Sequence, residues 1–155
     1  MVVNVKQELI IKSAEDMIQL GEQIGQRLFA NAVVTLTGDL GAGKTTLTKG
    51  IGKALLVKEV INSPTFTIMK IHSGTLKLYH IDVYRLTKVG SDFDLEEYFE
   101  YGGVCVIEWA EITAPIIPKE NLKIVIKNID EFTRHVELSS DSEEYIKIIK
   151  EVIHD

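Results

Sequence analysis

The chain has 155 residues, of which 45% are hydrophobic and 26% charged, a composition that suits one soluble domain over residues 1–155 and excludes a disordered or fibrous protein. The formal net charge of −6, with arginine only at 27, 85 and 134, argues against a protein that grips a nucleic-acid backbone by itself. No apolar run is long enough to cross a bilayer, and MVVNVKQELIIK lacks the basic and apolar blocks of a signal peptide. With the single cysteine at Cys105, this leads us to expect a cytoplasmic protein.

In chain order, residues 3–11 predict a strand at a sheet edge. Ser13 to Asp16 (SAED) is a capping-box pattern, and Met17, Leu20, Ile24 and Leu28 follow at helical spacing, so a helix is expected to about Phe29. Residues 33–37 (VVTLT) predict a buried strand, and Leu47, Ile51, Ala54 and Leu55 a second helix. Pro64 marks 62–67 as a loop. Residues 68–82 predict two strands turned at Ser73–Gly74. DFDLEEYF at 92–99 predicts a short helix and GGVCVIEW at 102–109 a strand ending in an acid. APIIP at 114–118 is a loop, 121–127 and 132–138 alternate as a hairpin-like pair, and Tyr145, Ile148, Ile149 and Val152 lie on a last helix. The expected fold is α/β, a phosphate-loop nucleoside-triphosphatase sandwich of three layers with a mixed, partly antiparallel sheet.

Between the second strand and second helix lies GDLGAGKTT, with the spacing G-x-x-x-x-G-K-[ST] from Gly38 to Thr45. A polyphosphate is a dense negative charge. Glycines let the backbone turn its N–H groups toward it, and a helix N-terminus adds a favourable dipole. Lys44 supplies a full positive charge beside the β- and γ-phosphates, and Thr45 a hydroxyl for Mg²⁺. A magnesium ion needs a further oxygen ligand at a nearby strand end. Glu108 ends the unbroken apolar run VCVIE and is favoured. Asp82 ends LKLYHID, whose alternation predicts a half-exposed strand, and is the second choice or a water-orienting group. No [NT]-K-x-D guanine reader is complete, since TKGI and TKVG lack the aspartate, so ATP is the expected nucleotide and ADP the product.

Four motifs occur in order: GDLGAGKTT, SPTF at 63–66, HIDVYR at 80–85 and IEWAE at 107–111. Together they resemble the TsaE (YjeE) family of small bacterial ATPases, which act in making threonylcarbamoyladenosine in tRNAs that read ANN codons. The resemblance runs from about Ser13 to Leu138. It implies that Asp39, Leu40, Gly41, Ala42, Gly43, Lys44, Thr45 and Thr46 hold the ATP phosphates, that Thr45 and Glu108 bind Mg²⁺, and that Thr65 and Phe66 belong to a nucleotide-responsive loop. His80, Asp82, Tyr84 and Arg85 fall in the family's H-x-D-x-Y-R motif near the active centre, and Trp109 follows the metal acid. Ser13 would lie near the base, although a helix cap explains it equally well. Lys44, Asp82 and Glu108 are thus the catalytic candidates, with Arg85 the one plausible arginine finger. The family implies TsaD and TsaB as partners, tRNA being met only through them, and no membrane. Two other readings stay open: a nucleotide-dependent interaction switch, and a phosphate-loop kinase of a small metabolite, for which three scattered arginines are a poor fit.

The remaining signals read as structural. His72, His135 and His154 have no metal-ligand spacing, Cys105 is expected to be an inert core residue, and Ser63 has no activating neighbour in the sequence. The acids of SDFDLEE and SDSEE suit helix starts.

Overall fold

A computed structural model of the chain describes residues 4–39, 41–62, 69–82, 95–108 and 117–153. Among these residues seven strands form one sheet: β1 (Val5–Ile11), β2 (Val33–Gly38), β3 (Met69–His72), β4 (Leu78–Asp82), β5 (Val104–Glu108), β6 (Leu122–Asn128) and β7 (Arg134–Ser140). Their order is β1-β7-β6-β2-β5-β4-β3. The pairs β6–β2, β2–β5 and β5–β4 are parallel, whereas β3, β7 and β1 are added antiparallel at the two sides. The mixed sheet, both hairpins and the edge position of β1 agree with the sequence reading.

Three helices, α1 (Ala14–Gly25), α2 (Lys44–Ala54) and α3 (Glu143–Ile153), contribute to one apolar core against the sheet. From α1 and α2 come Met17, Leu20, Ile24, Leu47 and Ile51, and from the sheet Val34, Leu36, Val106, Ile124 and Leu138. The opposite face, with Val33, Tyr79, Ile81, Cys105 and Ile107, packs on Phe99 of a 3₁₀ helix (Leu95–Glu100). Alternation along the strands decides the faces. Burial pushes the Cys105 thiol up to about 12, consistent with the inert core role read from its position.

Helix α1 stops earlier than its apolar spacing predicts. After Gly25 the amides of Arg27 and Leu28 bond back three residues, to Ile24 and Gly25, and the chain turns away through Asn31 at φ 69°. From the last helix, Tyr145 accepts a hydrogen bond from the Val33 amide at 2.9 Å, pinning the start of β2.

The closest approach in the helical layer is between α1 and α2. A Cβ on Gly50 would lie 2.1 Å from the Ile18 carbonyl oxygen, and one on Gly21 would lie 2.2 Å from that of Leu47. The two backbones touch, so the start of α1 is fixed beside the loop that opens α2. Alanine is the better helix former by about 1 kcal/mol. Overpacking against backbone should outweigh that gain. We expect Gly50→Ala to destabilise the protein by about 1–3 kcal/mol in urea denaturation; an unchanged or raised midpoint would show that the helices separate freely.

Candidate active site

The site is built from the end of β2 outward. Gly38 closes the strand, the Ala42 amide turns back to the Asp39 carbonyl at 3.0 Å, and α2 begins at Lys44. Gly41 (φ 80°) and Gly43 (φ 113°) adopt left-handed backbone, which L side chains rarely take; Gly43 is the residue that caps α2. The described residues therefore run from a strand through a glycine turn to a helix N-terminus, in the order the spacing predicts. Lys44 is only 6% exposed, and its ammonium donates to the Gly38 carbonyl at 2.5 Å and to that of Asp39 at 3.4 Å. Its charge is thus held inside the loop. Thr45 and Thr46 follow in the first turn of α2.

Two acids end the neighbouring strands. Across β5–β2, Glu108 lies opposite Leu36, and across β4–β5 it lies opposite Asp82. Both carboxylates share the sheet face that packs on α1 and α2, because they are even-numbered like core residues Leu78 and Val106. Both are buried, Glu108 at 3% exposure and Asp82 at 7%.

This corrects the reading of β4 as half-exposed. All five of its residues are buried between β5 and β3. The polar residues that produce its alternation, His80 and Asp82, face Glu108 and the helices rather than solvent. His80 Nε2 meets Glu108 Oε2 at 2.5 Å.

The acids at this corner are carboxylates, Glu108 with Asp82 beside it, and Thr45 offers a hydroxyl in the first turn of α2. Hard oxygens few in number suit Mg²⁺, which keeps several waters or phosphate oxygens. No cluster of three or more His, Cys, Asp or Glu residues able to hold a metal occurs among the described residues. Of the imidazoles away from this corner, His72 pairs with Glu59 at 3.0 Å and His135 lies 3.7 Å from Glu8. Leu40, Thr65, Phe66, Tyr84, Arg85 and Trp109, as well as Ser63 and His154, lie outside the described residues.

Beside the loop, a cleft of about 150 Å³ is lined by Ser13, Met17, Gly41, Gly43, Thr46, Phe132 and Arg134, among others. Ser13 caps the first helix, as its capping pattern predicts. Its hydroxyl accepts the Asp16 amide at 3.1 Å, capping α1, and it borders the cleft next to the loop.

Phe132 and Arg134 were not singled out from the sequence. They reach the loop through the β6–β7 pairing. Arg134 Nε donates to the Ala42 carbonyl at 3.1 Å, while its Nη1 donates to the Asp130, Glu131 and Thr133 carbonyls. One guanidinium thereby ties the turn to the cradle. A single basic residue in an alternating strand carries no signal of this; only the register shows it.

Asp130 shapes that turn by accepting the Phe132 and Thr133 amides at 3.0 and 2.8 Å, and these bonds hold its carboxyl below the usual carboxylate range. A depressed folded pKa means the contribution is present above the ordinary aspartate value and is lost as pH falls through the folded one. In an acid titration the Phe132 and Thr133 amide resonances should therefore shift together below about pH 4, and Asp130→Asn should abolish that step. Arg134→Ala should cost about 1.5–3 kcal/mol, the range for hydrogen bonds to a charged group. It should also speed hydrogen exchange at the Ala42–Lys44 amides, whereas unchanged exchange there would deny the link between turn and loop.

No helix among the described residues is long and apolar enough to cross a membrane. The family described as "Threonylcarbamoyl adenosine biosynthesis protein TsaE" matches residues 11–136. The chain is 45% identical over 121 residues to the tRNA threonylcarbamoyladenosine biosynthesis protein TsaE of Bacillus subtilis (strain 168), covering 77% of each chain. It is 40% identical over 129 residues to the protein of that name from Treponema pallidum (strain Nichols), covering 82% of this chain and 96% of that one. The crystal structure of Bacillus subtilis YdiB superposes with a TM-score of 0.82 at 34% identity, over 99% of this chain and 97% of that one. Sequence motifs, sheet order and these likenesses agree, and the chain belongs to the TsaE family of threonylcarbamoyladenosine biosynthesis proteins.

Proposed function

We propose that this chain is a Mg²⁺-dependent ATPase that supports threonylcarbamoyladenosine formation in tRNA by acting on a TsaD–TsaB complex. The observation that carries the reading is the buried Lys44 in a glycine loop, with Glu108 and Asp82 side by side at the neighbouring strand ends.

In this reading the loop amides and the α2 N-terminus bind the phosphates, and Lys44 neutralises the β/γ end. Thr45 and Glu108 would hold Mg²⁺, which would draw charge from the phosphate oxygens. Asp82 orients a water whose oxygen bonds to the γ-phosphorus as the bond to the bridging oxygen breaks, giving ADP and inorganic phosphate, with the water's proton released to solvent. The cleft beside Ser13 and Arg134 takes the rest of the nucleotide.

A small-metabolite kinase is the weaker alternative. Arg27 is engaged with Glu151 and the Gln23 carbonyl, and Arg134 with the loop and turn, so two of the three arginines hold the protein's own groups. A net charge of −6 also suits a protein that docks on a complex and leaves tRNA contact to it.

The test is reconstituted tRNA modification with TsaD, TsaB, threonylcarbamoyl-adenylate supply and unmodified tRNA from one organism. Wild-type chain should sustain many rounds per complex. Lys44→Ala and Glu108→Ala should each lower steady-state ATP hydrolysis by about 100-fold or more and confine modification to about the first round. Equal yields with and without the chain would refute the role in modification. ATP consumption that appears only with a small-molecule acceptor would identify a kinase instead. A Glu108→Ala form that still binds ATP and supports full turnover would mark a pure binding switch.

A further inference from the structure

Behind Glu108 lies a polar group that the proposed hydrolysis does not itself use. His80 is in the interior of β4, fully buried, on the same face as Asp82 and opposite Val106 of β5. Its Nε2 contacts Glu108 Oε2, and a carboxylate oxygen can only accept, so Nε2 carries the donated hydrogen. Among the described residues its Nδ1 has no hydrogen-bond partner. An apolar side chain could fill this position without burying an unsatisfied nitrogen. What an apolar side chain could not do is hold the carboxylate.

That contact has a directional consequence. A glutamate at a strand end can turn about its side-chain bonds, and a donor fixed from within the sheet removes that freedom. Oε2 is committed to the imidazole, while Oε1 takes no hydrogen bond among the described residues. We propose that His80 is a positioning residue, which holds Oε2 of Glu108 and so presents Oε1 as the metal-binding oxygen, setting the affinity of the site for Mg²⁺. This rests on the reading of Glu108 as the metal-side acid. His80 touches neither nucleotide nor metal in this scheme; it acts through Glu108, as outer groups around metal ligands do.

The rival role is structural only: His80 satisfies a buried carboxylate, and its loss loosens the sheet. Metal affinity of the folded protein separates the two. Binding of a fluorescent ADP analogue to the full chain is measured first in EDTA and then across a Mg²⁺ titration. For His80→Leu we expect metal-free binding within about twofold of wild type and a Mg²⁺ midpoint raised about tenfold or more. His80→Gln can place an amide N–H near the position of Nε2 and should recover most of the wild-type midpoint. His80→Asn, whose amide falls near Nδ1, should not. If His80→Leu fails to fold, the comparison of Gln with Asn decides: a much lower midpoint for Gln supports the proposal, and equal midpoints overturn it. A folded His80→Leu with the wild-type midpoint also overturns it. A wild-type curve that is flat in Mg²⁺ overturns the metal reading of Glu108 and this proposal with it. A variant curve matching a Mg²⁺-dependent wild type overturns this proposal alone.

Discussion

The parallel pairing of β2, β5 and β4 brings Leu36, Glu108 and Asp82 into one row across the sheet. Parallel strands run in one direction, so their carboxyl ends collect at one edge, and the loop leaving β2 emerges there with Lys44. A slip of one residue in β5 would turn Glu108 to the opposite face, where Ile107 and Cys105 now pack, and bring an apolar residue beside the loop. The chemistry at this corner is thus a consequence of register before it is a consequence of any single side chain.

That register is protected by the apolar core on the same face. Lys44, His80, Asp82 and Glu108 are all nearly or fully buried, and interior polar groups are unfavourable unless they meet partners. The ammonium donates to loop carbonyls and one oxygen of the Glu108 carboxylate meets the His80 imidazole, while Leu36, Leu47, Ile51 and Val106 pack around them. In a less water-exposed setting each of these charges also acts more strongly on a neighbour than it would at the surface.

Much of this was legible in the residues. The glycine loop is a local feature in which spacing, preceding strand and following helix all lie within GDLGAGKTT and its flanks. The Ser13 cap and both hairpins are local in the same sense. The exposure of β4 is the exception: alternation predicts one wet face, whereas here its polar residues His80 and Asp82 are buried beside Glu108. That Gly21 and Gly50 touch across two helices is a tertiary fact with no local signal. Arg134 is the clearest case. Nothing within FTRHVEL announces a contact with Ala42, because the register of β6 against β2 and β7 creates it.

The antiparallel additions explain why the loop needs such distant support. A glycine-rich turn is soft, since its residues have many backbone states to lose. The parallel core fixes only its first residue, Gly38, and α2 fixes only its last. Between them, α1 arrives through the Gly21–Gly50 contact and sets Ser13 and Met17 beside Gly43. The β6–β7 hairpin arrives through Asp130 and sets Arg134 on the Ala42 carbonyl. Four separate parts of the chain, the parallel core, α2, α1 and the β6–β7 hairpin, therefore converge on the loop between Gly38 and Lys44. A turn braced in this way has fewer backbone states to lose on taking one fixed shape, which offsets the conformational freedom that its glycines bring.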